Sequence, residues 1–499
     1  MKSNSFNKKS LENFFNQGDP FLLARTLEGK LYRDYANRKT KKFEYEGASY
    51  FLKYHGPVGW KEIFKNIVQL KIPVIGAKRE WDALQKLKIL GLGCPEPLFF
   101  MKRGLNPARQ ESFLITKDLG ETVSLEDFFD KNLFQKLTVL EKRKLVTLVA
   151  KICRKIHQNG LNHRDLYLCH FHVNQDNPLD NEIYLIDLHR GQIRKKVPFR
   201  WAVKDIGGLL HSILPFGISE RECYRFLMLY FNCSLKEVME KRKNFIDSAR
   251  SRAYAMHMKP ILSEISINSR KDLKNDSRYV KEEGKDYKWI GLKNSLNSSI
   301  QNALKDLDGT MKSGKVIKKE KGHFIVSLNL GGKEIFIKKY QIKNKWHFVR
   351  KIFRKSRAST SWIAIHWLRA IGISTVQPVV IYENFNCLFK LDSYLITERI
   401  DGVILSESIK DKEKDLLIAS KIDSFFKKLR WINFNHGDSK TSNFFLHQDK
   451  LITFDLDTSK KYVPSWVAKK KLDKDINRIL RSVGMNNRLH ILLRRRIER

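Results

Sequence analysis

Residues 160–173 read GLNHRDLYLCHFHV, and the interpretation of the whole chain depends on this stretch. His163, Arg164 and Asp165 stand together in a polar break between two apolar stretches, and His170 follows Asp165 by five positions. Asp165 is either a catalytic carboxylate of a phosphotransferase or part of a helix-ending turn on a very basic protein. The remainder of the chain distinguishes these two interpretations.

The landmarks on either side of this stretch occur twice in the chain, in the same order. The strand SYFLKY (49–54) carries Lys53, and EIFIKK (334–339) presents Lys338 in the same setting. Recurrence in a fixed order indicates a duplication with divergence. The other matched segments are REWDALQKLKILGLG (79–93) with TSWIAIHWLRAIGIS (360–374), SFLIT (112–116) with SYLIT (393–397), NHRD (162–165) with NHGD (435–438), YLIDLHR (184–190) with ITFDLDT (452–458), and VPFRWAVKDI (197–206) with VPSWVAKKKLDKDI (463–476).

Between the two copies lies a polar, charge-rich stretch with no apolar periodicity, which is typical of a linker or an exposed surface segment. We therefore predict a first domain at residues 1–260, a polar charged linker at 261–284 and a second domain at 285–499.

The order of parts within each copy indicates the fold. Each copy runs from a strand with a lysine through a helix, an apolar strand and a helical stretch to a polar loop with an aspartate. A strand that ends in an aspartate follows. This is the order of a protein kinase. The predicted fold class is α+β, with two tandem protein-kinase-like bilobal domains, each with an antiparallel sheet and a helix in the N-lobe and a mainly helical C-lobe.

Phosphoryl transfer requires a lysine on the nucleotide phosphates, carboxylates that hold Mg²⁺, and an aspartate at the acceptor hydroxyl. In the first copy we expect Lys53 to bind the phosphates of ATP, with Glu80 on the next helix as its ion-pair partner. Asp165 would accept the proton of the acceptor hydroxyl. Asp187, at the end of the strand EIYLID, would bind Mg²⁺.

Two further features refine the kinase interpretation. Asp205 and Asp475 enter apolar helices well past the metal aspartates, and by analogy with protein kinases we expect them to hold the catalytic-loop backbone rather than react. No glycine-rich GxGxxG loop precedes Lys53. Other backbone segments, aided by Arg38 or Lys39, would then cover the phosphates of ATP. The absence of the glycine-rich loop is a departure from ordinary protein kinases and speaks against a protein substrate.

Composition restricts the partners. The 499 residues include 95 Lys and Arg against 54 Asp and Glu, a net charge of +41, which favours an anionic partner such as nucleic acid, an anionic lipid surface or a phosphorylated glycan. The six cysteines are scattered without a CxxC pair, which favours a reducing cytosol over a structural zinc site. No signal peptide and no stretch of roughly 18 to 20 apolar residues is present, so we expect a cytoplasmic protein that is at most peripheral to a membrane.

With these residues assigned, the first copy closely resembles the lipopolysaccharide core heptose(I) kinases of Gram-negative bacteria over residues 19–255. The matching segments are DPFLLARTLEGKLYRDYANRKTKKFEYEGASYFLKYH, KEIFKNIVQLKIPVIGAKREWDAL, SFLITKDLGETVSLEDF, GLNHRDLYLCHF, LIDLHRGQIR and VPFRWAVKDI. The resemblance implies ATP-dependent phosphorylation of the first inner-core heptose at its 4-hydroxyl, on the cytoplasmic face of the inner membrane. It also leaves an acyl carrier protein open as a partner.

The resemblance explains the histidine that follows Asp165, because this family has CHF where protein kinases have an asparagine. Neutral imidazole is a poor ligand for Mg²⁺. His170 is a candidate in the metal site, but we expect it to hydrogen-bond within the loop and Asp187 to be the principal metal carboxylate. A histidine that only satisfies the core is an equal alternative.

A basic segment, HRGQIRKKVPFR (189–200), follows the metal aspartate directly, where kinases bind their acceptor. Arg190, Arg194 and Lys196 are the candidates for binding the carboxylates of Kdo sugars or the phosphates of lipid A in the inner-core acceptor. The alternative is that half of the basic side chains in this segment are only solvated.

The second copy is similar, less closely, to the wider family of lipopolysaccharide kinases that includes Kdo kinases. HGDSKTSNFF puts Asn443 five residues after the catalytic candidate Asp438, and FDLD supplies Asp455, in preference to Asp457, for the metal. Lys338 would bind phosphate. Ser361 occupies the place of Glu80, so Lys338 lacks its expected partner. The copy either phosphorylates a second core sugar or is a pseudokinase in a kinase–pseudokinase scaffold.

Other functions fit less well. A basic nucleic-acid-binding protein would explain the charge, but it predicts basic residues interleaved with aromatic ones and gives no reason for duplicated carboxylate loops. We therefore expect no nucleic-acid partner. A small-molecule phosphotransferase shares the HGD loop but needs no basic acceptor side. The C-terminal RLHILLRRRIER (488–499) either rests on an anionic membrane or, as we favour, is an amphipathic helix packed on its own domain.

Overall fold

A computed structural model describes residues 2–35, 37–69, 73–175, 182–269, 272–273, 277–320, 322–341, 355–386, 389–462, 465–484 and 488–497. The chain divides into two compact units, Met1–Ala253 and Tyr254–Arg499. Both units combine helices with antiparallel sheet, as expected for an α+β chain.

The first unit contains a five-stranded antiparallel sheet whose third strand carries Lys53. Side chains alternate between the two faces of a strand. Leu52 therefore packs with Phe113 into a core on one face of the sheet, while Lys53 lies on the other. In their order across the sheet, the strands are Lys30–Tyr35, Arg38–Tyr45, Ala48–His55, Glu111–Lys117 and Pro97–Arg103.

Helices cover both faces of this sheet. Leu11 and Phe15, from the N-terminal helix, join the core beneath Leu52, and Leu84 and Leu87 begin the larger core on the opposite face. The helices are Lys2–Asn16, Pro20–Thr26, Trp60–Val68, Lys78–Ile89, Leu125–Asp130, Leu133–Lys136, Val139–Gln158, Phe199–Ile213, Glu220–Phe231, Leu235–Lys241 and Lys243–Glu264, with 3-10 turns at Leu168–His170 and Leu214–Phe216.

Short strands frame the loop that contains Asp165. Leu161–Asn162 pairs with Gln192–Ile193, and Phe171–Asn174 lies between Thr122–Ser124 and Tyr184–Leu185. The loop and the aspartate that follows Leu185 are thereby fixed at the end of the long helix Val139–Gln158.

The second unit contains a seven-stranded antiparallel sheet. Its edge strand, Tyr279–Glu283, lies in the segment 261–284 that the sequence predicted to be a linker. This part of the segment is not a linker, because Tyr279 and its neighbours pair with the next strand instead of remaining solvated. Other parts of that segment, 270–271 and 274–276, lie outside the described residues. Across the sheet the strands are Tyr279–Glu283, Tyr287–Leu292, Pro378–Asn386, Phe389–Glu398, Lys333–Tyr340, His323–Leu330 and Lys315–Glu320.

The C-terminal helix Arg488–Ile497 buries Leu489 and Leu493 in the core of the second unit, beside the helix Asp415–Trp431. Its apolar face is therefore covered by its own unit, as we favoured. The remaining helices are Ser298–Ala303, Leu307–Lys312, Arg357–Ala370, Leu405–Ser408, Asp415–Trp431 and Ser465–Val483, with 3-10 turns at Lys293–Ser295, Lys412–Lys414 and Thr441–Asn443. The short strands are Val403–Ile404, Phe434–Asn435, Phe444–His447, Lys450–Thr453 and Lys460–Lys461.

The duplication is visible in strand register. Lys53 is paired with Leu114, and Lys338 is paired with Leu395, the equivalent leucine of SFLIT and SYLIT. Each hydrophobic cluster of buried residues stays within one unit. No helix within the described residues is long and apolar enough to span a bilayer.

Gly160 ends the long helix and permits the close approach of the strand Gln192–Ile193. Its φ is +80°, and a Cβ at this position would lie 1.7 Å from the carbonyl oxygen of Arg194. Gly217 has a φ of +64°, but a Cβ at this position would meet no atom within 4 Å. A substitution at Gly217 therefore measures the cost of the left-handed backbone without a clash.

We expect Gly217→Ala to lower the free energy of unfolding by about 1–2 kcal/mol through left-handed strain alone. Gly160→Ala adds a backbone clash, so its loss should be clearly larger. The measurement is the urea midpoint by circular dichroism. Equal losses for the two variants would show that the contact with Arg194 does not constrain the loop.

Candidate functional site

Lys53 forms an ion pair with Glu80 from the helix Lys78–Ile89, as predicted. Glu80 is 2% exposed, so its carboxylate faces the lysine and not solvent. Burial alone would lower the pKa of Lys53, but the charges of Glu80 and Asp187 raise it above its usual value. Lys53 is thus held as a cation at the inner face of the sheet.

Asp205 holds the backbone of the loop, as predicted. Its carboxylate is fully buried and accepts hydrogen bonds from the backbone amides of His163 (2.7 Å) and Arg164 (2.8 Å). The ring of His157 contacts the same carboxylate at 3.2 Å. The φ of Arg164 is +75°, a strained value for a residue with a side chain. The buried carboxylate therefore stabilises a turn that the local sequence disfavours.

Asp165 is held by a neighbouring cation. Arg190 donates from Nη1 to both carboxylate oxygens of Asp165, at 2.9 and 2.8 Å, and Lys204 Nζ lies 4.0 Å away. Arg190, predicted as an acceptor ligand, thus pairs with the catalytic candidate within the chain. A carboxylate has about four lone-pair positions, so the pair leaves room for a hydroxyl.

Asp187 lies at the base of the same site. Its φ is +57°, and its Oδ1 contacts His189 Nδ1 at 2.6 Å while its Oδ2 lies 3.6 Å from His170 Nε2. Burial would raise the pKa of Asp187, but the hydrogen bond and charge of His189, with Lys53 and His170, hold it well below the usual range. Asp187 is therefore an ionised carboxylate within reach of the phosphate lysine.

His170 makes the hydrogen bond expected of it within the loop. Its Nδ1 donates to the backbone carbonyl of Asp165 at 2.7 Å, since a carbonyl oxygen can only accept. The other ring nitrogen, Nε2, consequently faces Asp187. His170 also stacks on the buried ring of His163, with centroids 5.3 Å apart. This places an imidazole nitrogen beside the metal carboxylate.

The other two predicted acceptor residues are Arg194 and Lys196. Arg194 donates to the side-chain oxygens of Asn162 and Gln192, and Lys196 is exposed. Sequence reasoning missed the role of His189, which stands opposite Asp457 in the matched segments YLIDLHR and ITFDLDT and contacts Asp187 in the structure. Its signal was its position two residues after the metal aspartate.

Two more residues beside Asp187 come from the sheet. Arg38 and His55 are register partners on neighbouring strands. Burial, together with the charges of Arg38 and Lys53, lowers the pKa of His55 to about 3. Burial lowers the pKa of Arg38, and the negative charges of Asp187 and Glu80 oppose this shift. Arg38 is therefore a second cation near the phosphate lysine.

The donor set fits Mg²⁺ bound together with phosphates. Within the described residues, no group of three or more His, Cys, Asp or Glu could hold a metal by itself. Mg²⁺ in kinases needs only one or two protein carboxylates, because nucleotide phosphates and water complete the octahedron. Asp187 supplies one such carboxylate.

The loop of the second unit is built in the same way. Asp475 accepts from the backbone amides of His436 (2.7 Å) and Gly437 (3.0 Å), which confirms its structural role. Asn443 donates to the backbone oxygen of Asp438 at 2.7 Å and to its Oδ2 at 3.0 Å. Asn443 thus braces the catalytic candidate.

The phosphate lysine of the second unit has a different partner. Lys338 Nζ lies 2.5 Å from Asp455 Oδ1 and 3.8 Å from Asp457 Oδ2. Ser361 indeed provides no carboxylate, so the strand-end aspartates neutralise the lysine instead. Asp457 is anchored by Arg357, one turn before Ser361. Asp455 has a φ of +57°, the same as its counterpart in the first unit.

We expect Asp205→Ala to lower the free energy of unfolding by about 2–6 kcal/mol, because two buried amides lose their acceptor at about 1–3 kcal/mol each. The urea midpoint by circular dichroism measures this. Asp82→Ala is the matched control, since Asp82 forms only an exposed pair with Lys78 and should change stability by less than about 1 kcal/mol. Similar small shifts for both variants would contradict the role of Asp205.

Comparison with known proteins gives matches in both units. The family model described as lipopolysaccharide kinase (Kdo/WaaP) family matches residues 24–230 and 311–493. Lipopolysaccharide core heptose(I) kinase WaaP of Escherichia coli is 39% identical over 238 residues, which are 47% of this chain and 90% of that protein. The WaaP of Pseudomonas aeruginosa is 39% identical over 235 residues, 46% of this chain and 88% of that protein.

A solved structure, WaaP in complex with acyl carrier protein, is 33% identical, with a TM-score of 0.43, and covers 50% of this chain and 96% of that chain. The family match extends over most of both units. The chain therefore belongs to the lipopolysaccharide kinase (Kdo/WaaP) family and is an ATP-dependent sugar kinase.

Proposed function

We propose that the first unit transfers the γ-phosphate of ATP to the 4-hydroxyl of the first heptose of the lipopolysaccharide inner core. The observation that carries this proposal is the convergence of Lys53, Asp165 and Asp187 with their partners in one unit. It is supported by the identity with heptose(I) kinases over nearly their whole length.

In the proposed reaction the acceptor hydroxyl oxygen attacks the γ-phosphorus, and the bond to the bridging β–γ oxygen breaks to release ADP. Asp165 orients the hydroxyl and accepts its proton, while the pair with Arg190 keeps the carboxylate in place. Lys53 and Arg38 bind the phosphate oxygens. Because phosphoryl transfer needs little covalent help, this positioning and charge supply most of the catalysis.

Asp187 would hold Mg²⁺, and His170 is a weaker candidate beside it. Bound there, Mg²⁺ would neutralise negative charge on the phosphates. The ionised state of Asp187, ensured by its cationic neighbours, suits that role.

The segment 189–200, which we propose binds the acceptor, is basic. Arg190, Arg194 and Lys196 follow the metal aspartate, and an inner-core glycan carries the carboxylates and phosphates that such side chains bind. The reaction uses ATP and a lipid-borne acceptor, so we place it at the cytoplasmic face of the inner membrane.

We further propose that the two compact units, Met1–Ala253 and Tyr254–Arg499, are two tandem kinase-like bilobal domains, with the strand Tyr279–Glu283 of the predicted linker as part of the second. For the second we favour an active kinase that acts on another core sugar. Asp438, Asn443, Lys338 and Asp455 form the same set as in protein kinases. A pseudokinase remains the second candidate, because the helix glutamate is absent at Ser361.

We expect Asp165→Asn to reduce transfer of labelled phosphate from ATP to heptose-containing core acceptor by at least about 100-fold, since an amide cannot accept the proton. The fold, checked by circular dichroism, should not change. Asp438→Asn is the matched variant in the second unit. Mass spectrometry of the product should show the heptose phosphate retained and a different phosphate lost.

Undiminished heptose phosphorylation by Asp165→Asn would remove this assignment. An unchanged product with Asp438→Asn would show that the second unit does not act on this acceptor.

A further inference from the structure

Four cations surround one indole ring beside Asp165. The ring of Trp201 lies 5.0 Å from Cζ of Arg164, 5.5 Å from Cζ of Arg194, 4.8 Å from Cζ of Arg200 and 5.5 Å from Nζ of Lys204. We call these five residues the Trp201 cage. An indole stabilises a cation over its face, but four cations also repel one another.

Among the described residues, the positive charge of the cage is balanced only in part, because Asp165, 4.0 Å from Lys204, also pairs with Arg190. Arg164 is 7% exposed, and its Nε and Nη1 are buried without a hydrogen-bond partner. Burial lowers its pKa and that of Lys204, the latter to about 8, although Asp165 opposes both shifts. Asp165 itself is already paired with Arg190. Buried cations without counter-charge are costly unless a ligand supplies it.

We propose that the Trp201 cage is an anion site that binds a carboxylate or phosphate group of the acceptor glycan next to the reacting hydroxyl. This proposal rests on the proposed function and assigns Arg164, Trp201 and Lys204, which the basic segment 189–200 alone did not single out. Lys204 lies 4.0 Å from Asp165, so an anion in the cage sits directly beside the carboxylate that orients the hydroxyl.

The test is isothermal titration of the full-length protein with deacylated inner-core oligosaccharide, together with steady-state kinetics. Loss of one charge-assisted contact corresponds to about a 10- to 100-fold weaker Kd. Lys204→Gln and Arg164→Lys should show this loss and a matching rise in KM for the glycan, with KM for ATP unchanged. Lys144→Gln removes an exposed charge on another helix and serves as the control.

Edited glycans identify the bound group. The carboxyl-reduced and the dephosphorylated oligosaccharide are titrated separately, and the one that lacks the bound group should bind wild type weakly. For the Lys204→Gln variant, the same edit of the glycan should weaken binding no further. Unchanged affinity in both variants, or equal effects of the edits in wild type and Lys204→Gln, would overturn the site.

Glycan binding that depends on Lys204 without any phosphate transfer would keep the site and remove the proposed function.

A second observation concerns the helix Trp60–Val68. Trp60 is 49% exposed, Phe64 58%, Ile67 52% and Val68 82%, although only Ile63 on this helix is buried. Positions separated by four, seven and eight residues lie on one face of a helix. Four large apolar side chains on one exposed face exceed the scattered exposure of an ordinary surface.

Exposed lysines and one further exposed apolar residue lie near this face. Lys61 and Lys65 are exposed on the same helix, the latter paired with Glu62. The amide of Gly59 donates to the carbonyl of Ala108 at 2.9 Å, which brings the loop 104–109 to the start of the helix. Leu105 in that loop is 99% exposed. Aromatic and aliphatic side chains with flanking lysines are typical of helices that lie in a membrane interface.

We propose that this helix face docks into the interface of an anionic bilayer. Charge complementarity with a chain of net charge +41 favours that occupant over a second copy of the equally basic chain. The test is co-sedimentation with vesicles of phosphatidylcholine and phosphatidylglycerol, with pure phosphatidylcholine vesicles for comparison.

Wild type should bind the anionic vesicles, and the double variant Trp60→Ser/Phe64→Ser should bind them at least about 10-fold more weakly. Leu140→Ser, at an exposed leucine of another helix, is the control. Equal binding by the double variant and wild type, or self-association that the double variant abolishes, would overturn the proposal.

Discussion

The architecture of both units depends on a buried carboxylate that accepts two successive backbone amides. Asp205 and Asp475 each lie within a helix and reach back to the loop that precedes the catalytic candidate. A carboxylate without exposure is stable only when hydrogen bonds replace its hydration. The loop satisfies that requirement, and in the first unit the carboxylate in return stabilises the strained turn at Arg164, whereas the second unit has Gly437 at the positive-φ position. Helix, loop and reacting group are thereby fixed as one body.

The two units differ in where they neutralise the phosphate lysine. In the first, Glu80 on a helix pairs with Lys53 and leaves Asp187 to its histidines. In the second, Lys338 turns to Asp455, so the lysine and the metal carboxylate satisfy each other. Opposite charges in this partly buried setting attract strongly. Lys338 and Asp455 are therefore engaged with each other in the second unit, whereas in the first unit Lys53 and Asp187 are paired with different side chains.

The sequence sufficed for features that local pattern determines. The repeat and the lysine strands follow from spacing and strand periodicity, whereas the Lys53–Glu80 pair and the roles of Asp205 and Asp475 follow from the kinase-like order of parts. It did not suffice where pairing partners come from distant segments. The bond from Arg190 to Asp165 and the contact of His189 with Asp187 depend on backbone turns with positive φ that composition does not reveal. The strand Tyr279–Glu283 looked like a linker because its charged residues occupy a sheet edge, where one side of the backbone remains solvated.

Each unit keeps its buried clusters to itself. A substitution within one of these clusters therefore removes packing first from the unit that contains it. The two copies can accordingly differ in local detail while each retains a core of its own. Ser361, which stands where the first copy has Glu80, is such a difference, and Lys338 is paired with Asp455 instead.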